Sequence, residues 1–504
     1  MAPPWLTEFA TPRIRPSVAL LLFLGGLVII YVAFILIYNV FFHPLRKFPG
    51  PKLWAATLFP WIKSFISGNM HNKSLELHNK YGPIVRTGPN ELSFASPESW
   101  QAVMGHRKPG QPENGKASYY GASNPNSMVF TDRENHARMR RIVSHGFSAS
   151  SMLKQQPVIK LYVDKFIQQL YNNCQDGNAK LNVCAWFNHV TFDIIGDLSF
   201  GESFGCLETG RMHPWVGMIF ATVKVNAMRM ALSRVQILRP FLTLMIPSDL
   251  IKKVIEHKEL TKEKVRKRLG QDPRPDFFQA MVSPKGDLTM NRDELDANVE
   301  TLVIAGSETT ATALSGASYH LTTNPRVLKK LANEIRCSYT SEDEIDLLTS
   351  AKLPYLNAVV EEVLRMYPPA PNALPRETPP QGDVILGETI PGNTVLGCAH
   401  YVMYHSESNF KRAMDFVPER FMGDPEFEND RRDCLQPFNV GPRNCLGKNL
   451  AYAEMRMILA RLVWNFDMSL DEESKNWLHA KDHRGFLVWA KPELYIHFTP
   501  RKRE

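Results

Sequence analysis

Phe438-Asn439-Val440-Gly441-Pro442-Arg443-Asn444-Cys445-Leu446-Gly447 is the stretch on which the reading of this chain turns. Gly441 and Gly447 permit close backbone approach, and Pro442 stiffens the loop between them. A helix-like run follows, with Leu450, Ala453, Met457 and Ile458, so Cys445 is predicted to stand just ahead of a helix N-terminus. There the helix dipole and free amides are expected to lower a thiol's pKa and favour thiolate. No second Cys or His lies at metal-ligand spacing, which argues against zinc and iron–sulfur clusters. A single thiolate axial ligand to haem iron fits. A lone Cys is ordinarily a small buried hydrophobe, but the spacing of Phe, Gly and Arg around this one argues otherwise.

The chain around it has 504 residues, 44% hydrophobic and 22% charged, which excludes disorder and low-complexity material. Its length allows ~3 average domains or one large enzymatic fold. The seven cysteines are odd in number and scattered, so no disulfide framework is expected and the bulk of the chain belongs in a reducing compartment. A net charge of +8 suits an acidic membrane surface or partner, and no dense basic stripe of the nucleic-acid kind is present.

Toward the N-terminus, Val18–Val40 is almost wholly Leu, Ile, Val, Phe, Ala and Gly, and no charge falls between Ser17 and Phe42. About 20 apolar residues span the hydrocarbon core, so this run is long enough to be one membrane anchor. Arg13 and Arg15 precede it and Arg46 and Lys47 follow, a bias that does not settle orientation. Phe48-Pro49-Gly50-Pro51 then stops the helix in a stiff bend. The expected organisation is a flank over 1–17, an anchor over 18–42, a hinge over 43–52 and one catalytic domain over 53–504.

The body reads as mainly α with minor β. Short strands are expected between residues 80 and 100, an irregular loop over 105–127, and mainly helix from Arg133 to Glu377. A long helix should start at the Asn291 cap with Glu294 three residues on, and run to Asn324-Pro325, with Thr301–Ala313 buried. A second begins at Pro354 and ends before Pro368-Pro369; residues 382–402 alternate like a small sheet, and Phe486–Trp489 with Leu494–Phe498 read as a terminal strand pair. Gly306 inside the long helix costs ~1 kcal/mol against Ala and asks for a reason, either a helix crossing or space for a ligand. Glu362 and Arg365 lie at i and i+3 on one helical face.

Phe438-x-x-Gly441-x-Arg443-x-Cys445-x-Gly447 resembles the haem-binding signature of the cytochrome P-450 family. Five fixed residues at ~5% frequency each would match by chance in about one chain in 10⁴. The resemblance runs from anchor to terminal strands and implies the family's helical haem domain with small sheets. It makes Cys445 the proximal ligand of haem b, with Phe438 beside the thiolate and Arg443 on a propionate. His136, where the family usually has Trp, Arg140 and Arg376 become further propionate partners. Ala305 and Gly306 would leave room for haem and dioxygen, and the Thr309 hydroxyl would bond a carbonyl one turn back. Glu308 and Thr309 resemble the family's proton-delivering acid–alcohol pair. Glu362, Arg365 and Arg420, the last within Pro418-Glu419-Arg420-Phe421, would form a structural network holding the cysteine loop. The segments His136–Arg141, Ser144–Ser148 and Phe200–Glu208 are similar to filamentous-fungal members around isotrichodermin and averantin hydroxylases.

The resemblance implies a monooxygenase that hydroxylates or epoxidises a lipophilic terpenoid or polyketide. No Gly-x-Gly-x-x-Gly fingerprint is present, so electrons would come from NADPH through a separate membrane-bound reductase. Expected walls of the substrate space are the 110–130 loop, Leu302–Thr310, Ala370–Leu374 and Gly485–Val488. The catalytic domain would face the cytosol from the endoplasmic reticulum, with Val235–Pro247 as a second contact with lipid. A haem isomerase or dehydratase and a non-enzymatic haem carrier are the other readings, and the intact Glu308-Thr309 pair speaks against both.

Overall fold

The computed structural model describes residues 15–121, 124–235, 248–283, 286 and 288–502. The apolar run forms one helix, Pro16–Phe41, with Pro16 in its first turn and none of its 26 residues buried. At 1.5 Å per residue it is ~39 Å long, enough to cross a membrane. The hinge after it is not a free joint. Arg86 N donates to Pro49 O at 2.8 Å, and a Cβ on Gly50 would fall 2.5 Å from Arg86 O, so this close approach to the first strand requires glycine. The Arg86 guanidinium donates to Asn39 O at 2.8 Å in the last turn of the anchor helix.

The body is built on the long helix Arg292–Thr323, whose capping box forms as the sequence predicts: Glu294 N donates to the Asn291 side chain at 2.9 Å and Asn291 N to Glu294 Oε2 at 3.0 Å. It packs across Val183–Phe200, a helix buried along nearly its whole length. Helices Ala149–Asn173, Pro354–Met366 and Lys448–Asn465 complete the main apolar core around that crossing. Burial all round explains why the Val183–Phe200 helix carries so few charges.

The sheets are small. Five strands run in the order Ile84–Gly88, Glu91–Phe94, Val395–Cys398, Arg376–Glu377, Gly115–Lys116, and only the second and third of these are parallel. The edge strand Gly115–Lys116 comes from the predicted loop and fixes Lys116 beside Arg376. After Cys398 the chain turns into the helix His400–His405 instead of continuing the predicted ladder.

The expected pairing of Phe486–Trp489 with Leu494–Phe498 does not form. Arg484–Gly485 closes a tight hairpin with Trp489–Ala490, while Tyr495–Pro500 pairs with Lys180–Asn182 and Phe466–Leu470. Alternation identifies strands but not their partners, and Pro492 between the two has no N–H for a ladder. The expected lipid contact at Val235–Pro247 lies, apart from Val235, outside the described residues.

Candidate active site

The cysteine loop is held by its own backbone. Cys445 N donates to Phe438 O at 2.8 Å, and Gly441 has φ +78° with its missing Cβ only 1.9 Å from Met104 O. No other residue fits there. A Cβ on Gly447 would lie 4.0 Å from Cys445 Sγ, in ordinary contact, so Gly447 is not required by space. Phe438 packs in a tilted contact on Tyr452, ring centres 5.1 Å apart. Gly447 caps the helix Lys448–Asn465 without a side-chain bond.

The sequence reading expects a lowered thiol pKa at Cys445, and the structure reverses it. Burial pushes the thiol up, and the Gly447 N–H, Arg140 and Lys448 only partly offset that. One helix end cannot outweigh desolvation of a thiolate. Cys445 is nonetheless accessible to water. The thiol is thus reachable, with Arg140 and Lys448 as its nearby cations.

Accessible positions also interrupt the long helix. Thr301–Ala313 is predicted to be buried throughout, yet Ala305 is exposed and Leu302, Ile304 and Thr309 are half-buried, while Ser307, Glu308 and Thr310–Ala313 are buried. One face of this helix therefore borders open space at mid-fold. Thr309 Oγ1 donates to Ala305 O at 2.7 Å. Ser307 and Ser315 make the same back-bond, so its distinction is the accessible Ala305 beside it. Of the two reasons open to Gly306, the structure shows a helix crossing: a Cβ there would come 3.0 Å from Ile195 Cδ1. Glu308 turns inward, away from that open face, to pair with Lys491. Behind Thr309, the buried Glu454 bonds Thr310, and burial pushes its pKa up to about 8.

His136, Arg140, Arg376 and Arg443 come together as expected, with Lys116 among them. His136 is 7% and Arg376 4% exposed. Arg140 donates to Asn444 O at 2.6 Å beside Cys445; Arg443 donates to Glu113 at 3.1 Å and Thr131 O at 3.3 Å; Arg376 Nε reaches Met104 Sδ at 3.0 Å. Burial, then Arg376 and Arg443, brings the Lys116 pKa down to about 7. Burial, then Arg443, Arg140, Lys116 and Arg376, brings His136 to about 3. The local field is strongly positive, with Glu113 as the carboxylate that meets it. A cationic cluster of this kind next to an accessible thiol fits a flat metal macrocycle bearing two carboxylates. Glu362, Arg365 and Arg420 also meet, all 0% exposed.

Sequence reasoning missed Lys116, Glu113, Glu454 and Lys491. Lys116 ends an unremarkable Asn-Gly-Lys stretch, and Lys491 follows an apolar run with Glu493 two residues on, so neither carries a local signal.

The family profile described as cytochrome P450 matches residues 48–498. The chain is 45% identical over 482 residues to the trichothecene C-15 hydroxylase of Fusarium sporotrichioides, covering 95% of this chain and 97% of that one. It is 42% identical to the cytochrome P450 monooxygenase bet2 of Neocamarosporium betae, over 92% and 90% of the two chains. To the monooxygenase prhB of Penicillium brasilianum it is also 42% identical, over 95% and 98%. A profile match over nearly the whole body, with relatives this similar along their full length, means that the chain belongs to the cytochrome P450 family and is a haem-thiolate monooxygenase.

Proposed function

We propose that the chain hydroxylates or epoxidises an apolar fungal terpenoid or polyketide in secondary metabolism, with electrons passed from NADPH by a separate reductase. The observation that carries this reading is the accessible Cys445 beside a cluster of four cations and His136, supported by the C-15 hydroxylase and other monooxygenases among its relatives. In this reading the helix Pro16–Phe41, long and apolar enough to span a membrane, is a single anchor in the endoplasmic reticulum, the hinge over 43–52 follows, and the catalytic body over 53–504 lies on the cytosolic side.

Cys445 would hold the haem iron through its sulfur, with Phe438, whose carbonyl accepts from Cys445 N, packed beside it. Arg140, Arg376, Arg443 and His136 would hold the propionates, joined by Lys116. When bound, haem supplies the electron and dioxygen chemistry, which thiolate ligation tunes. Thr309 holds a hydroxyl at the open face of the long helix and Glu308 supplies it with protons. Leu302, Ile304, Leu374 and Val488 keep accessible apolar surface and draw an apolar substrate out of water. Gly441 keeps the cysteine loop close-packed against Met104, and Glu362, Arg365 and Arg420 hold its scaffold.

Carbon monoxide difference spectroscopy of reduced membranes tests the ligation. Cys445→Ser is expected to lose the thiolate band even where some haem stays, and retention of that band would overturn the assignment. Thr309→Ala is expected to keep the band but release peroxide in place of product, by roughly tenfold or more in the peroxide-to-NADPH ratio. An unchanged ratio makes Thr309 a packing residue.

A further inference from the structure

Glu308 precedes Thr309 on the long helix, so its side chain leaves the axis about 100° away from that hydroxyl. The turn takes it off the open face and into the interior, where Glu308 is 4% exposed. Its Oε1 pairs with Nζ of Lys491 and accepts from Thr312 Oγ1 at 3.2 Å, while Nζ also donates to Thr312 Oγ1 at 2.6 Å. Its Oε2 is buried with no partner among the described residues. The carboxylate is thus gripped by one oxygen and open at the other.

Lys491 cannot drift from this position. Its side chain is 5% exposed, and the backbone is pinned on both sides. Trp489 Nε1 donates to Pro368 O at 2.8 Å and its ring stacks on Tyr367, centres 5.0 Å apart. Trp477 Nε1 donates to Pro492 O at 3.0 Å. The titratable neighbours bring no competing charge near neutral pH. Burial raises the Cys184 thiol and the Tyr367 hydroxyl and lowers His483 to about 4.

We propose that Lys491 is a positioning residue for Glu308: its ammonium holds the carboxylate by Oε1 so that Oε2 stays free to take up a proton and pass it toward Thr309. The proposal rests on the reading of Glu308 as the proton donor given above. A proton arriving from water is held on Oε2 and leaves for the Thr309 hydroxyl, which passes on its own. The carboxylate is regenerated, and neither residue changes oxidation state. Without its counter-ion a buried carboxyl keeps its proton, and the relay stalls.

The test uses the full-length, haem-loaded chain with NADPH–cytochrome P450 reductase in phospholipid vesicles. It reads the NADPH consumption rate and its solvent isotope effect. Lys491→Met is expected to slow consumption roughly tenfold and enlarge the isotope effect, and Lys491→Arg to recover most of the rate. Glu308→Gln should show the same fall, and Glu308→Gln/Lys491→Met should be no slower than Glu308→Gln alone. This double variant removes both charges together, leaves no buried unpaired charge and gives the answer even if Lys491→Met does not fold. A double variant slower than Glu308→Gln, or a Lys491→Met protein with normal rate and isotope effect, overturns the role of Lys491. If Glu308→Gln alone changes neither quantity, the proton-donor reading of Glu308 itself falls.

Discussion

Two buried groups of charge in this molecule differ in how they are balanced. In the first, Arg365 bonds both oxygens of Glu362 at 2.7 and 2.8 Å, and Arg420 bonds Glu362 at 3.1 Å and Asp430 at 2.5 Å. Two cations meet two anions, and spare Arg365 donors end on Tyr404 O and Ala413 O at 2.7 and 2.6 Å. In the second, Arg140, Arg376, Arg443 and Lys116 crowd His136, and burial together with their field depresses both titratable members. Buried charge is stable only when paired. The first group is therefore balanced by the chain's own carboxylates, whereas in the second the described carboxylate is Glu113 on Arg443, and the proposed function gives its remaining cations two haem carboxylates.

That contrast makes opposite demands on mutation. Glu362→Ala removes the shared anion and leaves two guanidinium groups buried without it, at about 3–5 kcal/mol. The expected outcome is loss of folded, haem-loaded protein from membranes. A stable Glu362→Ala protein with an intact thiolate band would break the comparison at its first term. Arg376→Met takes a cation out of the crowded group, so folding should hardly change. Haem retention should fall instead, by roughly tenfold or more if one charge-assisted bond of about 1.5–3 kcal/mol is lost. Transfer of haem to an excess of a haem-free acceptor globin measures it. Retention unchanged with folding impaired would make Arg376 a structural residue.

The same contrast explains how far the sequence could be read. Glu362, Arg365 and Arg420 sit in fixed local patterns, Glu-x-x-Arg and Pro-Glu-Arg-Phe, because a closed network leaves each member little freedom. The long helix was legible from Asn291 and Glu294 because a capping box is a local device. Lys116 and Lys491 act through tertiary contacts, one added to a sheet edge by a two-residue strand and the other aimed across the core from a loop. Local spacing holds no trace of such contacts. Gly306 was visible as an anomaly, but its cause, Ile195 on another helix, was not. The thiol at Cys445 was misjudged for a related reason: the helix N-terminus is local and readable, whereas the burial that outweighs it belongs to the whole fold.

The smallest expected effect concerns pH and examines the second group without disrupting it. A free lysine binds its proton up to its ordinary pKa of 10.5, but Lys116 in the folded, haem-depleted protein does so only up to about 7. Between those values the unfolded chain carries more protons, so this residue makes stability rise with pH across that window. His136, lowered from 6.5 to about 3, acts in the acid range. Below pH 6.5 the unfolded chain again binds more protons, so the contribution of neutral His136 is lost as pH falls toward about 3. Two ligand carboxylates would oppose the field of the arginines and draw both pKa values back up, flattening both slopes on haem loading. Urea midpoints measured against pH for depleted and loaded full-length protein test this, with Lys116→Met expected to remove the alkaline slope alone. If loading leaves both slopes as steep as before, the cluster is not what meets the propionates, because a dianion seated among these cations has to change the proton affinity of the two groups that titrate there.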